Sequence, residues 1–305
     1  MEKVIIIGAG PAGISAALYA VRGNLDPLVI NNGIGALEKA EKIENYYGLE
    51  HPLSGQELYD TGIAQAKALG VRILDAQVLG VGGFDTFVVK TTEGEFETQS
   101  LILATGSKRA APKIPGVKEF EGKGVSYCAI CDAFFYRGKD VAVLGNGDFA
   151  MHEAKELSNT ASTVTIYTNG EEPEFAPEEN ISVNTMKIQS VEGDDLVSGI
   201  RLAPDMQAEE INAEAGQQAN DFCPAEGVFI AMGTAGSTEI ARQMGAELTE
   251  KGNIKVNENM ETTIPGLYAA GDCTGGLLQV AKAVYEGAQA GINAGKYLSL
   301  IHISE

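Results

Sequence analysis

The sequence predicts an α/β protein built from two Rossmann-like, three-layer ββα domains of the dinucleotide-binding type, the second inserted into the first. Three observations carry this expectation. A short β-branched run, residues 4–7, leads into Gly8-Ala9-Gly10-Pro11-Ala12-Gly13 and then an alanine-rich helical stretch over residues 14–21. The same order recurs at residues 141–144, followed by Gly145-Asn146-Gly147, a helical stretch to about Leu157 and a strand over residues 163–167. Between the two, residues 101–103 read as a buried strand ending in Ala104-Thr105-Gly106, and the late segment Gly266-Leu267-Tyr268-Ala269-Ala270-Gly271-Asp272 returns to the first domain.

The proline-bearing linker at residues 110–116 sets the first boundary, so the expected division is 1–113, 114–241 and 242–305. A helical stretch near Ile240 and a strand over residues 254–256 are expected to open the returning part. With 305 residues and 44% hydrophobic content, the chain can bury two cores. No stretch approaches the roughly 18 apolar residues of a membrane span, and no targeting segment is read, so the expected location is the cytoplasm.

Charge and cysteine usage narrow the function classes. The 22 lysines and arginines face 42 acids, for a net charge of −20, which argues against nucleic acid because phosphate binding requires a basic face. Cys223 and Cys273 stand alone, while Cys128-Ala129-Ile130-Cys131 is a CxxC pair that reads as redox or metal chemistry in an intracellular chain. A structural zinc site would need a second ligand pair of similar spacing, which the sequence lacks.

Each motif has a chemical reason. In the first turn Gly8, Gly10 and Gly13, with Pro11 and Ala12 opening the helix, allow a tight bend, close approach of backbone to a pyrophosphate and close helix packing. About 20 residues on, where an acid would hold a ribose, the chain has Asn31-Asn32, whose amides can still bond a hydroxyl. The CxxC spacing lets two sulfurs close a disulfide when the second thiol lies at a helix start, where the helix dipole favours thiolate; a pair of inert buried thiols is the alternative.

With these motifs in order, the chain resembles the low-molecular-weight thioredoxin reductases over nearly its whole length. That resemblance implies an FAD domain containing the first glycine turn, Thr105 and Gly106, and the Gly271-Asp272 pair, with Asp272 bonding the ribityl chain. It further implies that Asn45, in Glu44-Asn45-Tyr46-Tyr47-Gly48, and Gln279, in a helix after Gly275-Gly276, lie beside the flavin. Cys131 would face the flavin, Cys128 would attack the partner disulfide and Asp132 would shuttle the proton, a plain helix cap being the other reading of Asp132. A homodimer is implied by the resemblance alone.

One part of the family pattern is missing. Relatives bind NADPH in the inserted domain through a second glycine turn and arginines after the next strand. Here Phe149 stands where a small hydroxyl residue is usual, and Thr168-Asn169-Gly170-Glu171-Glu172-Pro173-Glu174-Phe175 has acids and no lysine or arginine. The segment Gly233-Thr234-Ala235-Gly236-Ser237-Thr238 also departs from the family's histidine and proline pattern. Charge-assisted hydrogen bonds contribute about 1.5–3 kcal/mol each, so losing two weakens binding by roughly 150-fold to several ten-thousand-fold. Residues 114–241 carry 7 basic residues against 22 acids, a repulsive field for a dinucleotide.

This combination resembles the ferredoxin-dependent flavin thioredoxin reductases, which implies reduced ferredoxin as electron donor and thioredoxin as acceptor. Ferredoxins are usually acidic, and a basic stretch surrounds the redox motif: Lys108, Arg109, Lys113, Lys118, Lys123, Arg137 and Lys139 against Glu119, Glu121 and Asp132. Other readings stay open: a thioredoxin reductase using NADPH, NADH or a reduced deazaflavin, a flavin-dependent dithiol oxidase, and a non-enzymatic redox sensor.

Overall fold

The computed structural model describes residues 1–83, 85–106, 112–204, 221–233 and 236–303. Two compact units emerge, one formed by Met1–Arg109 with Ala235–Glu305 and the other by Ala110–Thr234. In chain order the first unit begins with β1 (Val4–Ile7), α1 (Pro11–Arg22), β2 (Pro27–Asn31), α2 (Gly55–Ala68), β3 (Arg72–Asp75), β4 (Val78–Gly82), β5 (Phe87–Thr91), β6 (Gly94–Thr98) and β7 (Leu101–Leu103). The second holds β8 (Val125–Ser126), α3 (Ala129–Asp132), β9 (Asp140–Leu144), α4 (Asp148–Ser158), β10 (Thr163–Tyr167), β11 (Ser182–Asn184), β12 (Ile188–Gly193), β13 (Val197–Leu202), β14 (Phe222–Pro224) and β15 (Gly227–Ile230). The first unit then resumes with α5 (Ser237–Gln243), β16 (Leu267–Ala269) and α6 (Val280–Ile303).

In the first unit a parallel sheet runs β16-β7-β1-β2-β3. Val4, Ile5, Ile6 and Ile7 of β1 are all buried, as a continuous apolar run at the centre of a parallel sheet must be. The register aligns Ile7 with Ile30 and with Leu103, so Gly8, Asn31 and Ala104 emerge together at the carboxyl ends of the strands, where open α/β sheets hold their ligands. Small residues let α6 lie close on α1: a Cβ at Gly287 would sit 2.0 Å from the Ala12 carbonyl oxygen. An antiparallel β4-β5-β6 sheet completes the unit.

The second unit repeats the plan with a parallel sheet, β11-β10-β9-β15-β8, and an antiparallel sheet, β12-β13-β14. Helix α4 packs on β9 and β10 through Ala150, Met151, Ala154 and Leu157, all buried. Both units are thus Rossmann-like and the second interrupts the first.

Some local expectations change. Helix α1 begins at Pro11 rather than residue 14, because proline suits the first helical position, where no amide donor is needed. Residues 254–256 form no strand: Ile254 makes a single bridge to Leu248, and the Ile254 and Lys255 amides bond the carbonyls of Cys273 and Glu247. The compact units divide the chain a few residues before the expected 113/114 and 241/242. Ser237, at the start of α5, is tied to Thr105, which keeps α5 with the first unit. Among the described residues, no helix is long and apolar enough to cross a membrane.

Candidate functional site

The first glycine turn is shaped by close approach. At Gly8, with φ +110°, an added Cβ would lie 2.3 Å from the Ala104 carbonyl oxygen, and one at Gly13 would lie 1.8 Å from the Gly8 oxygen. Gly10 faces open space; it caps α1 without a side-chain hydrogen bond, Pro11 follows and no acid stands in the first turn. The arrangement leaves backbone donors at a helix start free for an anion, so these residues fit the pyrophosphate of a dinucleotide such as FAD.

The remaining residues read from the sequence for that ligand gather in the same unit. Asn31 ends β2, where its amide donates to Asp75 at 2.6 Å and its side-chain oxygen accepts from the Tyr59 hydroxyl at 2.8 Å. The acid absent after β2 is therefore present at the end of β3, in register with Asn31. Asn45 and Gln279, separated by 234 positions, join through an amide hydrogen bond of 3.0 Å. Gln279 sits just before α6, its carbonyl accepting from the Ala283 amide, rather than within the helix. Thr105 and Gly106 follow β7, and the Thr105 hydroxyl is 2.8 Å from that of Ser237.

The Gly271-Asp272 turn is held by a cluster that the sequence reading missed. Glu286 accepts from the Gly271 amide at 2.8 Å and pairs with Lys282 at 2.9 Å, and the Lys282 ammonium donates to the Gly271 carbonyl at 2.7 Å. Their i, i+4 spacing at the start of α6 was the available signal.

The second glycine turn has the same frame in different surroundings. A Cβ at Gly145 would lie 2.3 Å from the Ala231 carbonyl oxygen, while Gly147 faces open space and caps α4. Asp148 places an acid in the first turn of α4, and Phe149 is buried in the interior. After β10 the chain folds back so that the Glu174 amide donates to the Asn146 carbonyl at 2.7 Å. The exposed acids Glu171, Glu172 and Glu174 thus accompany this turn, and the Asn169 side chain is engaged by the Ile188 amide.

Cys128 and Cys131 form a disulfide in the second unit. Cys128, not Cys131, caps the four-residue α3, and its sulfur accepts from the Cys131 amide at 3.0 Å. Cys128 is buried and Cys131 exposed. Asp132 accepts from the Ser126 hydroxyl at 2.6 Å, and Ser126 in turn accepts from the Cys128 amide at 3.1 Å. Behind the turn, Glu153 of α4 is 1% exposed and accepts from the Ala129 amide at 2.6 Å. Burial pushes its carboxyl up to about 7, against the opposing pull of the Ala129 hydrogen bond. The sequence reading missed Glu153, although an acid within the apolar stripe of Ala150, Ala154 and Leu157 was a visible signal.

Beside the disulfide, Phe134 and Phe135 are 73% and 68% exposed, with the Arg137 guanidinium 5.6 Å from the Phe134 ring centre. Of the basic stretch, Lys108 and Arg109 lie outside the described residues, and Lys139 stands 5.7 Å from the Tyr136 ring. Thr234 and Ala235 also lie outside them. Cys273 is buried, and its thiol is pushed up to about 12, which makes it inert.

Residues 2–287 match the pyridine nucleotide-disulphide oxidoreductase family. A thioredoxin reductase of Aquifex aeolicus (strain VF5) is 36% identical over 312 residues, spanning 97% of this chain and 93% of the relative. Among solved structures, the atypical thioredoxin reductase TRi of Desulfovibrio vulgaris Hildenborough matches with a TM-score of 0.87 at 38% identity, over 98% of this chain and 99% of that one. A ferredoxin-flavin thioredoxin reductase of Clostridium acetobutylicum matches with a TM-score of 0.68 at 30% identity, over 98% of both chains.

Proposed function

The chain belongs to the low-molecular-weight thioredoxin reductase family of FAD flavoproteins, and on that premise we propose that it reduces thioredoxin with electrons from ferredoxin rather than NADPH. The observation that carries the donor is the second glycine turn, where a chain segment with three acids folds back beside a frame that otherwise suits a dinucleotide. The likeness to the ferredoxin-flavin enzyme of Clostridium acetobutylicum supports the same reading.

FAD, when bound, collects single electrons and delivers them as a pair. Gly8, Gly10, Pro11, Ala12 and Gly13 would hold its pyrophosphate on the start of α1, and Asn31 with Asp75 would serve the ribose. Thr105, Gly106, Gly271 and Asp272 would hold the middle of the cofactor, and Asn45 and Gln279 would serve its ring. The pair of electrons enters at the exposed Cys131, the sulfur–sulfur bond breaks and Cys128 leaves as a thiolate, which the Cys131 amide stabilises. Asp132, oriented by Ser126, delivers a proton to the other sulfur. Cys128, buried while the disulfide is closed, is uncovered as the turn opens and attacks the thioredoxin disulfide, and Cys131 attacks the mixed disulfide, restoring the protein disulfide and releasing reduced thioredoxin. Phe134 and Phe135 offer an apolar surface for that partner next to the reacting sulfurs, and Lys113, Lys118, Lys123, Arg137 and Lys139 offer charge for an acidic donor. The enzyme works as a cytoplasmic homodimer in this reading.

The test is thioredoxin reduction followed as thiol release under anaerobic conditions. Chemically reduced ferredoxin should support turnover, and the Cys128→Ser variant should lose it while staying yellow. Equal turnover with NADPH as sole donor would overturn the choice of donor.

A further inference from the structure

Glu153 is the buried acid that the reaction as described does not use. It projects from α4 toward the redox turn, with one carboxylate oxygen on the Ala129 amide at 2.6 Å and the other buried without a hydrogen-bond partner. Ala129 is the first residue of α3, between the two cysteines, so Glu153 touches the backbone that carries the disulfide. A buried carboxylate with an unmet oxygen is costly, and protonation removes that cost.

The titratable groups on the elements packed against it include an acid that repels its charge. On α3 these are Cys128, Cys131 and Asp132, the last engaged by Ser126. On α4 they are Asp148, His152, Lys155 and Glu156; Glu156 repels the charge and Lys155 pairs with Glu178 at 2.6 Å. On β9 Asp140 bonds Thr163 at the exposed start of the strand, and on β10 the Tyr167 hydroxyl is pushed up by burial.

Reduction of the disulfide adds negative charge beside this acid. We propose that Glu153 is a positioning residue for the Cys128–Cys131 couple, anchoring the Ala129 amide and taking up a proton when the disulfide opens, so that the new thiolate does not face a second buried anion. The balance is two electrons and two protons. The sulfur–sulfur bond breaks, one proton reaches the Cys131 sulfur through Asp132, the Cys128 sulfur stays a thiolate on the Cys131 amide, and the second proton, from solvent, goes to Glu153. The inference rests on the reading of Cys128 and Cys131 as the redox pair and is independent of the electron donor.

The test is the midpoint potential of the pair in the FAD-loaded protein, measured against pH in dithiothreitol buffers by alkylating the free thiols. Each proton taken up with two electrons is a tenfold change in equilibrium constant per pH unit, or about 30 mV. The slope should correspond to one proton below about pH 7, where Glu153 is already protonated, and to two above it. The Glu153→Gln variant should keep the one-proton slope throughout. A variant with the same break as the unaltered protein, or an unaltered protein with no break, would overturn the inference.

Infrared difference spectra of the unaltered protein at pH 8 give a second readout that does not depend on the variant folding. A new carboxylic acid band should rise on reduction, and its absence would also overturn the inference. A pair that takes no electrons from dithiothreitol at any pH would sink the redox reading itself, whereas one that titrates without a break sinks the inference alone.

Discussion

At the first glycine turn Gly10 opens α1 with bare backbone and no acid in the first turn, whereas at the second Gly147 opens α4 with Asp148 directly behind it and the Glu174 segment folded against Asn146. Yet Gly8 and Gly145 do the same structural work. Each lies against the carbonyl of a neighbouring strand end, Ala104 in one case and Ala231 in the other, at a distance that forbids a Cβ. The glycines are therefore required by strand-to-helix packing whether or not a nucleotide binds. What differs between the two turns is the charge around them, and the motif alone does not report it.

The largest effect should come from filling the first turn. Gly13→Val forces atoms onto the Gly8 carbonyl and should give colourless protein, destabilised by about 3 kcal/mol or more, as read by flavin absorbance and denaturant unfolding. A yellow, stable variant would break the comparison at its better-defined end.

The second effect concerns Glu153, on the helix that the second turn opens. Its carboxyl is raised from the ordinary 4.5 to about 7 in the folded chain. Below pH 4.5 it is protonated in both folded and unfolded states and costs nothing. Between about 4.5 and 7 the unfolded chain ionises first, so stability falls as pH rises, and above 7 the penalty is constant. Glu153→Gln should therefore gain roughly 3 kcal/mol relative to the unaltered protein between pH 4 and pH 8, each pKa unit being about 1.4 kcal/mol. Denaturation midpoints that shift equally at both pH values would contradict this.

Smaller still should be the gain from recharging the second turn. Replacing Glu171 and Glu172 with arginine should tighten NADPH binding at least about tenfold, worth roughly 1.4 kcal/mol, in calorimetric titration. The smallest effect sharpens the contrast with Gly13. Gly147→Ala meets open space and should leave ferredoxin-driven turnover within about twofold and stability within about 0.5 kcal/mol.

Strands β1, β7 and β9 were readable as short apolar runs set off by glycine or polar punctuation, and β10 as a short run rich in β-branched residues. The segment 254–256 was not, since its amides bond scattered loop carbonyls and its apolar residues give no hint of that. In the candidate site, the glycine turns and the CxxC pair are local patterns and were visible. Partnerships that depend on the sheet were not: Asp75 reaches Asn31 from 44 positions away, and Ser237 reaches Thr105 from 132. The likeness to known reductases suggested Asn45 and Gln279 individually, but only the folded chain joins them. Glu153 was legible in principle, as an acid on a buried helical face.

The most direct measurement is anaerobic mixing of the purified yellow protein with NADPH and, separately, with reduced ferredoxin, following the flavin absorbance. Ferredoxin should bleach the flavin and NADPH should leave it oxidised. Prompt bleaching by stoichiometric NADPH would contradict the account, because it would require a working nucleotide site at a turn against which the acidic segment folds.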